Sequence, residues 1–177
     1  MRLFIAIKFD KDTINRALEQ QKLLQANATR GTYTTESNLH LTLLFLGEVE
    51  ASYLEPIKIA MEDIECKSFF LRFTRLGYFE KPQGDIWWIG GDNDPRLQHL
   101  EILLSKRLSS LKLPLSQEAY RPHLTLARNV RMPDEVKKQL MEKPFPWFGA
   151  NVSSFTLIHS HRVDSLLTYS PLFTKEL

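Results

Sequence analysis

The chain has 177 residues, of which 43% are hydrophobic and 25% are charged, and its formal net charge is +2. These proportions are those of an ordinary soluble globular protein, and the length predicts a single domain over residues 1–177. The small net charge gives no electrostatic reason to expect a long polyanion as partner. The only cysteine, Cys66, excludes an internal disulfide and a cysteine-based metal cage, and we expect a half-buried apolar residue there.

The sequence also predicts where the protein resides. The apolar stretch near the N-terminus is too short for a secretory signal, because charged residues at 8, 10 and 11 interrupt it. No run approaches the ~18 apolar residues that a membrane span needs. We therefore expect a cytoplasmic protein without a membrane-spanning segment.

Seven segments have the composition and length of β-strands, with branched and aromatic residues between turn signals. They span residues 3–9, 39–46, 69–79, 86–90, 123–127, 152–160 and 169–173. The segment Lys-Pro-Gln-Gly-Asp at 81–85 predicts the turn of a hairpin between the third and fourth of these strands.

Four helices are predicted between these strands. The first begins at a cap formed by Asp12 or Thr13, the second runs from Ser52 to Ile64, the third follows Pro95, and the fourth spans 133–141. The order of elements is similar before and after Pro95, which predicts an α+β protein with two similar lobes. Connections without regular structure are predicted at 27–38, 112–121 and 144–149.

One four-residue motif occurs twice in strand context. His40-Leu41-Thr42-Leu43 recurs 83 positions later as His123-Leu124-Thr125-Leu126. Residues two apart on a strand project from the same face, so each copy sends an imidazole and a hydroxyl to one side and two leucines to the other. We expect the two copies to lie side by side or facing each other at the centre of the molecule.

Two imidazoles and two hydroxyls around one atom suit acid–base chemistry on a phosphate. Near neutral pH one imidazole can accept a proton while the other donates one, and hydroxyls can donate to phosphate oxygens. A purely structural interpretation, with the histidines hydrogen-bonded in the core, is the first alternative. The second is a metal site, but neither motif has Asp, Glu or Cys at ligand spacing. His159 and His161 could form a metal pair, which we interpret as surface histidines because no third ligand is evident.

The residues around both motifs resemble those of the two-histidine (2H) phosphoesterases. Within that group they are most similar to the bacterial and archaeal RNA 2′,3′-cyclic phosphodiesterases, also called 2′-5′ RNA ligases. Besides the two motifs, the resemblance is carried by residues 2–7, Asn38, 45–48, 121–123, 155–157 and 169–172. It implies a bilobal α+β fold, with two pseudo-symmetric antiparallel-sheet lobes around a central cleft that holds the motifs.

The same resemblance implies a reaction and a role for each motif residue. The expected reaction is hydrolysis of a 2′,3′-cyclic phosphate, on an RNA end or a nucleoside, to a 2′-phosphomonoester, by a monomer and without metal or cofactor. His40 resembles the proton donor to the leaving 3′-oxygen, and His123 resembles the acceptor that activates water. Thr42 and Thr125 resemble the hydroxyls that hold the phosphate. Arg128 matches an arginine near it, although strict strand alternation puts Arg128 on the face opposite His123, so it reaches the site only if the strand bends.

Other functions remain open because the motifs contact only the phosphate. One is a 2H phosphodiesterase that acts on another small cyclic or 2′-5′ phosphodiester. Another is an RNA-end binding module without turnover. Several aromatic residues could hold a base, and the sequence singles out none of them: Phe4, Tyr33, Phe45, Trp87, Trp88 and Tyr120.

Overall fold

The structure is a computed structural model that describes residues 1–91, 93–113, 115 and 119–177. The strands are β1 (Arg2–Ile7), β2 (Arg30–Tyr33), β3 (Leu41–Glu48), β4 (Phe69–Phe73), β5 (Arg75–Phe79), β6 (Asp85–Gly90), β7 (Leu124–Arg131), β8 (Phe148–Val152), β9 (Ser154–Val163) and β10 (Leu166–Glu176). The helices are α1 (Lys11–Asn27), α2 (Leu54–Glu62), α3 (Pro95–Ser109) and α4 (Asp134–Glu142). Short 3-10 helices precede β3 and α2, at Glu36–Asn38 and Ala51–Tyr53.

Eight of these strands form one antiparallel sheet, in the order β10-β9-β1-β3-β7-β6-β5, with β2 also paired to β7. Strands β4 and β8 form a separate two-stranded sheet. Between β3 and β7 the sheet pairing runs through Leu41 and Leu124. This pair divides the large sheet into a first lobe of β10, β9, β1 and β3 and a second lobe of β7, β2, β6 and β5. The expected α+β class with antiparallel sheets is confirmed.

The two lobes do not coincide with the two halves of the sequence. The first lobe combines β1 and β3 with β9 and β10, and the second combines β2, β5 and β6 with β7. The helices are shared in the same way, because α1 packs on β7 and β8, while α3 packs on β3 and α2. Sequence order suggested a division at Pro95, but long-range pairing decides which strands lie together.

Each motif strand contains a β-bulge directly after its threonine. Along β1 the pairing advances by one residue, from Ile5 to Ala6, while along β3 it advances by two, from Leu44 to Thr42. Leu43 is the extra residue, and both Leu43 and Leu44 are buried. A bulge of this kind resets the inward and outward alternation of the strand beyond it.

Strand β7 repeats this arrangement. Along β6 the pairing advances by one residue, from Trp88 to Trp87, while along β7 it advances by two, from Thr125 to Ala127. Leu126 is the extra residue, and both Leu126 and Ala127 are buried. The two motif strands therefore have the same bulge at the same distance from their histidines.

Two strands form where the sequence suggested irregular connections. Strand β2 lies within the polar stretch 27–38 and pairs with the edge of β7. Strand β8 begins inside the loop expected at 144–149, continues past its end and pairs with β4. The hairpin predicted around residues 81–85 is confirmed between β5 and β6, whereas β4 leaves that hairpin for the small sheet. The predicted loop at 112–121 lies partly outside the described residues.

The helix starts also differ from the prediction. Asp10, and neither Asp12 nor Thr13, caps α1, because its carboxylate accepts a hydrogen bond from the Thr13 backbone N–H at 2.8 Å. Helix α2 begins at Leu54, and Ser52 lies in the 3-10 turn before it. None of the helices described has the length and hydropathy of a membrane-spanning segment.

Candidate active site

The motif residues converge where the two lobes meet. Leu41 and Leu124 are directly opposite each other in an antiparallel pair, and both are buried in the core. In that register, the positions on either side of the pair set His40 against Thr125 and Thr42 against His123. All four polar residues are half-buried on the face that the leucines leave free. The expectation that the two motifs lie side by side at the centre is thus confirmed.

Hydrogen bonds to the backbone fix the orientation of both imidazoles. Nδ1 of His40 donates to the carbonyl oxygen of Asn38 at 2.7 Å, and Nδ1 of His123 donates to that of Arg121 at 2.7 Å. A carbonyl only accepts, so Nδ1 carries the hydrogen and the Nε2 lone pair is free for other partners. Nε2 of His40 lies 3.1 Å from Oγ1 of Thr42, whose hydroxyl can donate to it. The first motif thus pairs its imidazole with its own threonine.

The surroundings of His40 favour its neutral form. Its ring lies 4.9 Å from the ring of Phe4 and meets the ring of Tyr169 edge-on at 5.2 Å, as measured between centroids. Burial is the main cause that lowers the pKa of His40 to about 4, and the Asn38 carbonyl opposes it. The positive charges of Arg128, His123 and Lys8 lower the pKa further. His40 is therefore neutral in the free protein at pH 7.

His123 has an equivalent environment in the second lobe. Phe79 meets its ring edge-on at 5.1 Å, and Trp88 lies 6.2 Å away at a tilt. Burial lowers the pKa of His123 below its ordinary value of 6.5, and the charge of Arg128 lowers it further. The hydrogen bond to the Arg121 carbonyl acts in the opposite direction and raises the pKa. Sequence reasoning did not find Phe79 or Tyr169 as neighbours of the histidines, since only long-range strand pairing brings them there.

The bulge in β7 brings Arg128 back to the face of the motif. Leu126 and Ala127 are both buried, and Arg128, which follows them, is exposed. Its charge acts on the pKa of both imidazoles. The carbonyl of Leu126 accepts hydrogen bonds from the Thr34 backbone N–H at 2.9 Å and from the buried side chain of Gln21 at 2.8 Å. The bend on which the placement of Arg128 depended is therefore present and is anchored by α1.

Phe45 occupies the corresponding position in the first lobe. It follows His40 by five residues, as Arg128 follows His123, and it comes directly after the bulge in β3. Its side chain is 52% exposed, which is unusual for a phenylalanine inside a sheet. The two lobes therefore present a cation at one of these equivalent positions and an aromatic ring at the other.

A groove of about 790 Å³ lies between the lobes beside the motifs. Thr42 and Phe45 line it from the first lobe, and Phe79 and His123 line it from the second. Its other lining residues are Leu43, Leu44, Tyr78, Glu80, Lys81, Glu101, Ala119, Tyr120 and Arg121. His40, Thr125 and Arg128 are not among the residues that line this groove.

Burial separates the aromatic candidates for holding a base. Trp87 is fully buried and stacks on Tyr78 inside the core, and Phe4 is 3% exposed against His40. The hydroxyl of Tyr120 donates to the Thr42 carbonyl at 3.3 Å. Phe45 combines exposure with a position in the groove, which makes it the best placed of the six.

The remaining candidates for chemistry lie elsewhere. The rings of His159 and His161 stack at 4.7 Å between centroids, and Nε2 of His161 lies 2.8 Å from the hydroxyl of Ser170. Among the described residues, no three His, Cys, Asp or Glu side chains come together in a set that could hold a metal ion. Cys66 is half-buried as expected, and burial raises the pKa of its thiol.

Comparison with known proteins identifies the class to which this fold and site belong. The crystal structure of Escherichia coli LigT complexed with 3′-AMP matches with a TM-score of 0.84 and 25% identity, covering 99% of this chain and 97% of that one. A crystal structure described as a phosphoesterase matches with a TM-score of 0.82 and 26% identity, covering 99% and 97%. The fold is therefore that of the 2H phosphoesterases.

Sequence comparison narrows the class to a family. The family model of the 2′-5′ RNA ligase superfamily matches residues 12–164. The RNA 2′,3′-cyclic phosphodiesterase of Thermotoga maritima is 30% identical and covers 98% of this chain and 94% of its own length. That of Escherichia coli is 28% identical and covers 97% and 93%. The chain belongs to the 2′-5′ RNA ligase superfamily of enzymes, as its motifs suggested.

Proposed function

We propose that this enzyme hydrolyses 2′,3′-cyclic phosphates, at RNA ends or on nucleosides, to 2′-phosphomonoesters by acid–base catalysis between His40 and His123. The observation that carries the proposal is the Leu41–Leu124 pair, which sets two imidazoles and two hydroxyls on one face at the junction of the lobes. The relatives named RNA 2′,3′-cyclic phosphodiesterase support the choice of substrate, because they align over nearly the whole chain.

In this mechanism the working nitrogen of each histidine is Nε2, because Nδ1 is held by a backbone carbonyl. Nε2 of His123 takes a proton from water, and the resulting hydroxide oxygen forms a bond to phosphorus. The bond from phosphorus to the 3′-oxygen breaks, and Nε2 of His40 donates a proton to that oxygen. Each such proton transfer is commonly worth ~10²–10⁴ in rate.

The phosphate itself prepares His40 to act as an acid. His40 is neutral in the free protein, so the proton that it donates must be taken up with the substrate. A monoanionic cyclic phosphate between the rings favours the imidazolium and raises the pKa of His40 in the complex. Thr42 and Thr125 donate to the non-bridging oxygens, and Arg128 balances the charge that develops there.

The test is incubation of the protein with each of the four nucleoside 2′,3′-cyclic monophosphates in the presence of EDTA. We expect turnover to the 2′-phosphate, identified by phosphorus NMR against both isomers, and no loss of rate with the chelator. The double variant His40→Ala/His123→Ala serves as the control for contaminating phosphodiesterases. Absence of turnover, or formation of the 3′-phosphate, would contradict the proposal, and a metal requirement would contradict its mechanism.

A further inference from the structure

Asn38 makes two hydrogen bonds that connect distant parts of the first lobe. Its side-chain amide donates to the carbonyl oxygen of Leu167 at 2.9 Å, although the two residues are 129 positions apart. Its own carbonyl oxygen accepts the Nδ1 hydrogen of His40 at 2.7 Å. One half-buried residue at the end of a 3-10 turn therefore links the β9–β10 hairpin to the imidazole.

The hairpin that Asn38 holds also contacts His40 directly. Leu167 lies near the tip of the hairpin, directly beyond a turn in which Asp164 and Ser165 have positive φ. Tyr169 follows two residues later on β10, and its ring meets the imidazole of His40 edge-on at 5.2 Å. Anchoring Leu167 therefore also anchors the ring that packs against His40.

The second lobe has only part of this arrangement. The Arg121 carbonyl accepts from His123 as the Asn38 carbonyl accepts from His40, and at the same distance. Within the described residues, no side-chain hydrogen bond joins Arg121 to another element in the way that Asn38 is joined to Leu167. The amide of Asn38 is thus an addition to the motif in the first lobe.

We propose that Asn38 is a positioning residue for His40. Its amide holds the 3-10 turn against the hairpin, so that its carbonyl stays aimed at Nδ1 and keeps the hydrogen of the imidazole on that nitrogen. Nε2 is then left to face the phosphate, which under the proposed function is where His40 transfers its proton. A misplacement of about 1 Å at such a group can cost on the order of 10²-fold in rate.

The test compares Asn38→Ala and Asn38→Asp, which both lack the amide donor, with Asn27→Ala. Asn27 makes the same kind of bond, from its side-chain amide to the Leu23 carbonyl at 2.8 Å, at the end of α1. We expect kcat to fall at least about tenfold in both Asn38 variants while KM changes less than about twofold, and both values to stay unchanged in Asn27→Ala.

Nitrogen NMR of the histidine side chains supplies a measurement that does not depend on turnover. In the free wild-type protein His40 should be the Nδ1–H tautomer, and in the Asn38 variants part of it should shift to Nε2–H. An unchanged tautomer in folded Asn38 variants, or an equal loss of kcat in Asn27→Ala, would overturn the proposal. If the Asn38 variants show the tautomer shift but the wild-type protein hydrolyses no cyclic phosphate, the positioning role is supported and the proposed function is refuted.

Discussion

The pH dependence of kcat/KM follows from the burial of the two imidazoles. Turnover requires one histidine in its neutral form and the other in its protonated form, so that the pair carries a single positive charge. The value of kcat/KM reports the apparent pKa values of that pair in the free protein. Burial and Arg128 lower both pKa values below 6.5, that of His40 to about 4. The singly protonated pair therefore exists below pH 6.5 and is lost as the pH rises through the higher of the two values.

The size of the effect can be worked from these pKa values. Loss of one proton from the pair reduces kcat/KM by about tenfold for each pH unit above 6.5. At pH 7, a group with a pKa of about 4 is protonated in only about one molecule in 10³. The bound phosphate raises the pKa of the histidines, so the fall in kcat should begin at a higher pH than the fall in kcat/KM.

Steady-state rates with one nucleoside 2′,3′-cyclic monophosphate, measured from about pH 5 to about pH 9 at constant ionic strength, test this reasoning. Circular dichroism at each pH verifies that the protein stays folded. A value of kcat/KM that is constant up to pH 8 would refute the argument, because it would mean that one imidazole keeps its proton well above the ordinary pKa of 6.5, opposite to the direction in which burial acts.

Three further predictions concern the motif residues and Arg128. His40→Ala and His123→Ala should each lower kcat by ~10²–10⁴-fold, because each removes a proton-transfer partner. Thr42→Ala or Thr125→Ala removes one hydrogen bond to the phosphate, commonly worth ~1.5–3 kcal/mol when the acceptor is charged, and should cost less. The reverse order in steady-state rates would show that the roles are wrong. A substrate with a 3′-leaving group that needs no protonation should restore most of the rate of His40→Ala and little of that of His123→Ala, and the opposite result would exchange acid and base. Arg128→Gln removes a charge that lowers the pKa of both imidazoles, so the fall in kcat/KM should move to higher pH, and an unchanged profile would contradict the contribution of Arg128.

The local geometry of the motifs could be predicted because it depends only on the two-residue period of a strand. That period sets His40 and Thr42 on one face and the leucines on the other, as the structure bears out. The placement of Arg128 could not be predicted, since it depends on a bulge in β7. The bulge is defined by pairing with β6 and anchored by Gln21 of α1, more than 100 positions away in sequence.

Strands β2 and β8 escaped prediction for a related reason. Both strands are short, with four residues in β2 and five in β8, and each contains a glycine, which is depleted in strands. They form because β7 and β4 offer unpaired backbone groups along an edge. Likewise, the bond from Asn38 to Leu167 joins residues that no local pattern relates.

The mixing of both sequence halves in each lobe has a consequence for how the cleft comes into existence. Arg2 at the start of β1 pairs with Ser160 of β9, so the first lobe closes a loop of more than 150 residues. Pairings of such high contact order form late and slowly in folding. The first wall of the cleft is complete only when β1 and β3 have joined β9 and β10, so a nascent or cleaved chain that lacks β9 and β10 would carry both motifs without a working cleft.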